Sequence, residues 1–479
     1  MADDLLRRVR PPNWQNPQPR SCYDLIVVGG GPAGLAAAEL AAREGRSVAL
    51  LERYRLGGNS LNSGSIPSKA IIRAARVLVS LRDEEDFGAT AFERPATDFA
   101  AVMERMRRLR ARIAEYHSID RLCARGIDVF FGDARFLGPR TLGVADASLS
   151  FSKAIVATGA RPQASSIPGL AQAGFQTSDT IFDLTELPRR LGVIGGGPLG
   201  CELAQAFSRL GSQVTLVQNE PKFLPHDDRD AAELLSMSLS RDGVDTRLNT
   251  AVVAARREGD AKWLDTLSNG VKCSIPVDDI LLSVGRVPNV EELGLEAAGI
   301  AYEATGIAVD RYLRTSNQNV YAAGDVCQSY QFTNVAESCG RLAAHNAFGA
   351  GAQRQSNLAV PWCTYCDPEI AHIGLHPHEA RAQSIPVKSF TIMMQDVEGA
   401  ITDGLDEGFV KIHIREGTDQ ILGATIVATR AAELINEMSV IMNAGIGMRR
   451  LASILHSYPA QSDAIRLAAM AFLEDRSNA

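Results

Sequence analysis

Two glycine clusters carry the clearest chemistry in the chain, Gly29-x-Gly31-x-x-Gly34 and Gly195-x-Gly197-x-x-Gly200. Glycines at this spacing let the backbone turn sharply and approach a pyrophosphate, while the helix that follows offers free N–H groups and the positive end of its dipole. A lone cluster often marks only a tight turn, but here a strand, a helix and a second strand accompany both copies, which predicts two bound dinucleotides. Pro32 and Ala33 in the first copy, and Leu199 in the second, complete the turns. Counting 23 residues on from Gly29 reaches Glu52, whose carboxylate can accept hydrogen bonds from a ribose, and the same count from Gly195 reaches Gln218. Gln218 does not repel a 2′-phosphate as a carboxylate would; Lys222 has the sign to attract one and Glu220 the sign to oppose it. The second site therefore reads as one for NADH or NADPH.

The elements that must position these residues follow from apolar runs. Asp24–Val28 and Ser47–Leu51 are strands on either side of a helix through Arg43. Leu191–Ile194 and Gln213–Val217 flank a second helix that ends at Leu210. Between the copies lie short β runs around Val129 and Val144, then a strand from Lys153 that turns at Gly159 ahead of Pro162. Ile280–Gly285 leads into Arg286-Val287-Pro288-Asn289, and Asn319–Ala323 is a strand ending on Gly324-Asp325. From Pro361 onward the pattern alternates as in an antiparallel sheet, with Val410, Ile412 and Ile414 against Lys411 and His413, and helices follow from Ala431. The expected fold is α/β: two Rossmann-like dinucleotide-binding domains plus a carboxy-terminal α+β domain. The first domain takes residues 21–163 and resumes over 288–355, the second takes 164–287 and the third 356–479. Residues 1–20, rich in Arg and Pro, read as a surface tail.

Composition narrows the function classes. The 479 residues are 46% hydrophobic and 22% charged, as in a soluble globular protein, and no apolar run approaches membrane-spanning length. A net charge of -7 gives no basic field for nucleic acid or anionic lipid, so small-molecule phosphates are the better partners. The eight cysteines are scattered, which is not a secreted disulfide framework, and a reducing cytoplasm fits them best. Cys363 and Cys366 form a C-x-x-C, but residues three apart on a strand face opposite sides, and no second ligand pair stands at zinc spacing, so no metal site is expected.

Taken together, these residues resemble the disulfide-reductase family of flavoproteins, which covers glutathione reductase, dihydrolipoamide dehydrogenase and mercuric reductase. The resemblance runs from about Tyr23 to Glu474. It implies FAD on the first glycine device and NADH or NADPH on the second, with Thr158-Gly159 at the turn that joins them and Asp325 on the flavin ribityl chain. It also implies Gly58, Ala134 and Thr333 as FAD contacts, Gly285 beside the nicotinamide nucleotide, and a homodimer built through the third domain. In such enzymes Lys69 and Glu202 match residues that pair beside flavin N5, where the lysine's charge favours the reduced flavin.

The departure lies in the redox motif. Where the family has two cysteines, this chain reads Gly57-Gly58-Asn59-Ser60-Leu61-Asn62-Ser63-Gly64-Ser65-Ile66-Pro67-Ser68-Lys69, with Ser60 and Ser65 at the cysteine positions. A hydroxyl neither forms a reducible bond nor supplies a thiolate near neutral pH. Near the carboxy terminus, Tyr458 fills the position of the family's acid–base histidine and Asp463 follows it. The chain ends Arg476-Ser477-Asn478-Ala479, without the cysteine pair of mercuric reductases. His456 is either a base displaced by two residues or a core histidine. These features predict an FAD-dependent NAD(P)H oxidoreductase without a disulfide centre. It would pass hydride through flavin to a small external acceptor: a quinone, oxygen or a second nicotinamide, the last as in the soluble transhydrogenases that this motif also resembles. The competing expectation is a flavin-binding protein with a structural or regulatory role and no turnover.

Overall fold

The computed structural model describes residues 2–80, 97–349, 351, 353–354 and 359–477. Its first sheet is built from β1 (Tyr23–Val28), β2 (Val48–Glu52), β3 (Ile127–Phe131), β4 (Ala134–Gly138), β5 (Thr141–Val144) and β6 (Ala147–Val156), in the order β3-β2-β1-β6-β5-β4. The strand Val320–Ala322 adds in parallel to the far end of β6, so the chain returns to the first sheet after leaving it. β1 and β2 are buried on both faces, which is why they read as continuous Val, Ile and Leu runs without alternation. Helix α2 (Pro32–Arg43) follows β1. Further on come α3 (Gly58–Asn62), α4 (Ser65–Ser80) and α5 (Phe99–Ile113).

The second unit repeats the device. Strands Arg190–Ile194, Gln213–Val217, Asp245–Arg247 and Asp279–Leu282 form a parallel sheet, and the helix Pro198–Leu210 crosses between the first two. Exit and return are tied together: Ala160–Pro162 pairs antiparallel with Arg286–Pro288, and the Asn289 side-chain amide donates to the Thr158 carbonyl at 2.9 Å.

The third unit is a five-stranded antiparallel sheet with Glu369–Gly374 and Ile421–Ala428 at its centre, covered on one face by the helices Ala431–Asn443 and Asp463–Ser477. The expected alternation along Phe409–Arg415 sorts Val410, Ile412 and Ile414 onto the helix-covered face. The opposite face is not solvated, however. The second unit packs over it, so His413 is fully buried and Lys411 pairs with Asp228 at 3.0 Å. At this junction the His372 and His376 rings stack with centroids 3.5 Å apart.

The sequence reading misplaces the amino terminus. Residues read as a surface tail instead form helix α1 (Ala2–Val9), whose Leu5 and Val9 enter the core of the first unit beside Leu25 and Leu50. A short helix with two apolar residues one turn apart is a weak signal, and the surrounding Arg and Pro mask it. The expected boundary at 355–356 and the last two residues, Asn478 and Ala479, lie outside the described residues.

Candidate active site

At the carboxyl ends of β1 and β2, a cavity of about 770 Å³ opens in front of the first glycine turn. Gly29 has φ +109°, and a Cβ there would collide with the Ala157 carbonyl. Gly195 in the second copy has the same φ and meets Ser283 in the same way, so the two turns are built alike. α2 starts at Gly31-Pro32 with no side-chain cap, which leaves its first N–H groups for a ligand. Glu52 accepts hydrogen bonds from the Gly30 and Tyr54 N–H groups, both at 2.6 Å, and burial raises its carboxyl. In the second copy Gln218 Oε1 takes the matching bond from Gly196 N–H at 2.8 Å, and its amide reaches the Lys222 carbonyl at 3.4 Å.

The structure brings most of the predicted cofactor residues to this one cavity. Gly29, Gly31, Pro32, Ala33 and Glu52 form one end, and Ala134, Thr158 and Gly159 lie along the wall. Gly58, Ser60, Ser65, Asp325 and Thr333 complete it. Gly34 lies behind the turn, where a side chain would strike the Gly29 carbonyl. Gly58 holds φ +57°, and a Cβ there would sit 2.7 Å from Gly31 Cα, so the two glycines let α3 meet the phosphate turn. Asp325 is half-buried and its carboxyl is raised by burial, with Arg286 opposing the shift. Gly197, Leu199 and Gly200 belong to the second device and do not line this cavity, and Gly285 stands immediately before Arg286, which does.

Several lining residues were not predicted. Arg110 of α5 and Asn62 reach the wall, and the Arg110 Nε and Asn62 Oδ1 atoms are buried without hydrogen-bond partners. Such atoms suit an anionic, hydroxyl-bearing ligand such as a dinucleotide. Arg110 belongs to an Arg-rich helix in which nothing local singles it out. Arg286 follows Gly285 in a segment that the sequence marks as a turn, with nothing local to assign its charge to a ligand.

Lys69 on α4 and Glu202 on the helix Pro198–Leu210 come together across 133 residues of sequence, with Nζ to Oε2 at 2.8 Å. Glu202 is only 3% exposed, and its other oxygen accepts from Tyr365 N–H at 2.8 Å. The Lys69 ammonium lies 4.5 Å from the centre of the Tyr365 ring. Both carboxylate oxygens are therefore engaged, and the lysine head is held from two sides. Ser65 lies on the cavity wall one helical turn before Lys69.

The other expected participants are spent elsewhere. Ser60 Oγ and Thr333 Oγ1 share a hydrogen bond at 2.5 Å. Tyr458 is 75% exposed and bonds Glu398, which raises its phenol, while Asp463 takes Arg466 at 2.6 Å instead of Tyr458. His456 is half-buried, with Nε2 bonded to Glu437 at 2.6 Å and Nδ1 to the Ile454 carbonyl at 3.2 Å, and it does not line the cavity. Cys363 packs on the core of the third unit and Cys366 in the core it shares with the second, and burial pushes both thiols well above their ordinary range. No cysteine lines the cavity among the described residues.

Comparison with known proteins agrees with this geometry. The family profile described as pyridine nucleotide-disulphide oxidoreductase matches residues 23–340, and that of the family's dimerisation domain matches residues 360–469, which fits a homodimer. A mercuric reductase from Staphylococcus aureus is 31% identical over 95% of this chain and 83% of its own length. A dihydrolipoyl dehydrogenase from Thermus scotoductus is 35% identical over 94% of this chain and 97% of its own. Among solved structures, the Cu(II) complex of the HOCl-induced flavoprotein disulfide reductase RclA from Escherichia coli superposes with a TM-score of 0.84. It is 27% identical, over 94% of this chain and 100% of that one. No helix among the described residues is long and apolar enough to cross a membrane. With two matching glycine devices and family matches along nearly its whole length, the chain belongs to the pyridine nucleotide-disulphide oxidoreductase family, whose cofactors are FAD and NAD(P)H.

Proposed function

We propose that this protein is an FAD-dependent NAD(P)H oxidoreductase that works without a disulfide centre and delivers its electrons directly to a small external acceptor. The observation that carries this reading is the Lys69–Glu202 pair held beside a cavity wall that presents Ser60 and Ser65 and no thiol. When bound, FAD would supply the relay for two electrons and a proton, so that NAD(P)H and the acceptor become NAD(P)+ and the two-electron-reduced acceptor, with one further proton taken up where the acceptor is a quinone or oxygen and none where it is a second nicotinamide. The chain's own groups hold and orient. The first glycine turn and α2 amino terminus bind the FAD pyrophosphate, Glu52 the adenosine ribose, and Asp325 the ribityl hydroxyls. Ala134, Thr158, Gly159, Gly58 and Thr333 would line the rest of the FAD site, and Gly195, Gly197, Leu199, Gly200, Gln218 and Gly285 would hold the nicotinamide nucleotide. Lys69 places a positive charge where negative charge develops, and Glu202 fixes its position.

On the acceptor side a relay through sulfur has no atoms to use. The Ser60 hydroxyl is tied to Thr333, and the Tyr458 phenol has neither a histidine's titration range nor an acid behind it. A small acceptor that takes hydride or electrons directly, such as a quinone, oxygen or a second nicotinamide, needs none of these groups. The test is turnover with NADH and NADPH against a panel of those acceptors, alongside oxidised glutathione, lipoamide and Hg(II). Turnover confined to the first group is the expected result. Bleaching of the flavin band by dithionite alone, with no response to either nicotinamide, would replace this reading with the non-catalytic one.

A further inference from the structure

The amino-terminal segment carries none of the chemistry above, yet it is built into one end of the first dinucleotide site. The Val9 carbonyl accepts the Leu56 N–H at 3.1 Å, and the fully buried Leu56 side chain closes against Gly30 of the glycine turn. Next in sequence, Arg10 Nη1 donates to the Arg53 carbonyl at 2.6 Å and to the Tyr54 carbonyl at 3.0 Å. The Cζ atom of that guanidinium lies over the Phe131 ring, 4.6 Å from its centre. Asn16 then pairs with Phe131 as a neighbouring strand would, donating to its carbonyl at 2.9 Å and accepting its N–H at 2.8 Å, while Trp14 donates to the Val129 carbonyl. The edge strand β3 thus has no open side here.

These contacts converge on the loop Arg53–Leu56, whose residues Arg53, Tyr54 and Arg55 line the cavity, and on Gly132, which lines it immediately after Phe131. The Tyr54 N–H is one of the two donors that orient Glu52. Arg10 therefore holds the carbonyls of Arg53 and Tyr54, two residues that line the cavity, one of which orients Glu52 through its N–H. Its positive charge also works against the burial of Glu52.

We propose that residues 2–16 form a cofactor-positioning strap in which Arg10, lying over the Phe131 ring, fixes the 53–56 loop in the conformation that grips the adenosine half of FAD. This rests on the assignment of FAD to the first glycine device. Arg10 touches no cofactor atom; it acts through the loop. Its effect is confined to one half of the ligand, so FAD and FMN separate the strap from general stability, because FMN has the flavin and lacks the adenosine.

The experiment measures FAD and FMN binding to apoprotein by flavin fluorescence for wild type, Arg10→Gln, Arg10→Lys and Asn16→Ala, with melting temperatures of the apo forms. For Arg10→Gln the FAD dissociation constant should rise about tenfold, as for loss of one well-made charged contact, with FMN affinity unchanged. Arg10→Lys, which keeps the charge and loses the fork, should recover part of the loss. Asn16→Ala should shift FAD binding in the same direction, and it carries the test alone should Arg10→Gln not fold. Equal losses for FAD and FMN, or no loss for either, overturn the strap while leaving the FAD assignment in place. A wild-type protein that binds no FAD overturns both.

Discussion

Replacing Lys69 with Met keeps the length of the side chain and removes its charge, so it isolates what the ammonium contributes. A unit charge about 4 Å from a developing opposite charge is worth roughly 4 kcal/mol at an effective dielectric constant of about 20. The Lys69 side chain is 33% exposed, so solvent screens part of that, and about 2 kcal/mol is the reasonable share. That corresponds to a rate about 30-fold lower for reduction of the bound flavin. Neither Lys69 nor Glu202 lines the dinucleotide cavity, so the variant should purify yellow. Glu202→Gln should also slow reduction, because its single amide oxygen can replace only one of the two carboxylate oxygens, which accept separately from Lys69 and from the Tyr365 N–H. The assay is anaerobic stopped-flow mixing with NADH or NADPH, following loss of the flavin band at saturating nucleotide. A Lys69→Met protein with full FAD content that reduces within about twofold of wild type would refute the electrostatic role, since the expected loss is more than ten times larger.

Three further outcomes are expected. Cys363→Ala with Cys366→Ala should leave turnover within about twofold, because the two thiols pack in different cores and neither faces the cavity; loss of activity with the fold intact would reveal a hidden dithiol. Gln218→Glu should lower kcat/KM for NADPH about tenfold with NADH little changed, since a carboxylate at the ribose repels a 2′-phosphate, and paired steady-state measurements check this. Burial holds the imidazoles of His376 and His413 neutral, with pKa values lowered to about 4. Unfolded chains take up those protons as pH falls through about 6.5, so the stability is present above that pH and is lost progressively down to about 4. His376→Phe keeps a ring against His372 and removes one titrating group, so calorimetry at pH 4.5 should find the acid loss smaller by roughly 2–3 kcal/mol.

Both glycine devices were legible because strand, turn and helix leave local marks and because the pattern occurs twice. The positions matching 22 residues after Gly30 and Gly196 even form the same hydrogen bond, although one is Glu52 and the other Gln218. The pairing of Lys69 with Glu202 was legible only through family resemblance, since no periodicity connects residues so far apart. What escaped the sequence is what depends on tertiary packing. His413 reads as the solvated side of an alternating strand and is buried because a separate unit covers that face. Arg110 is one arginine among several on its helix, distinguished only by where α5 happens to cross Asn62. Residues 2–16 show little hydrophobic pattern; beyond the buried Leu5 and Val9, Arg10, Trp14 and Asn16 hold them in place through side-chain bonds to backbone carbonyls, which sequence patterns do not record.

The measurement that reaches furthest is an anaerobic reductive titration of the purified protein with dithionite and with NADH or NADPH, counting electrons taken up per FAD. Two electrons per FAD, with the flavin band bleached by a nicotinamide as well as by dithionite, is the result predicted for a site in which Ser60 and Ser65 replace the sulfur relay. Four electrons per FAD would contradict it, because a second two-electron centre would then have to exist among the cysteines, and disulfide or metal substrates would return as the acceptors.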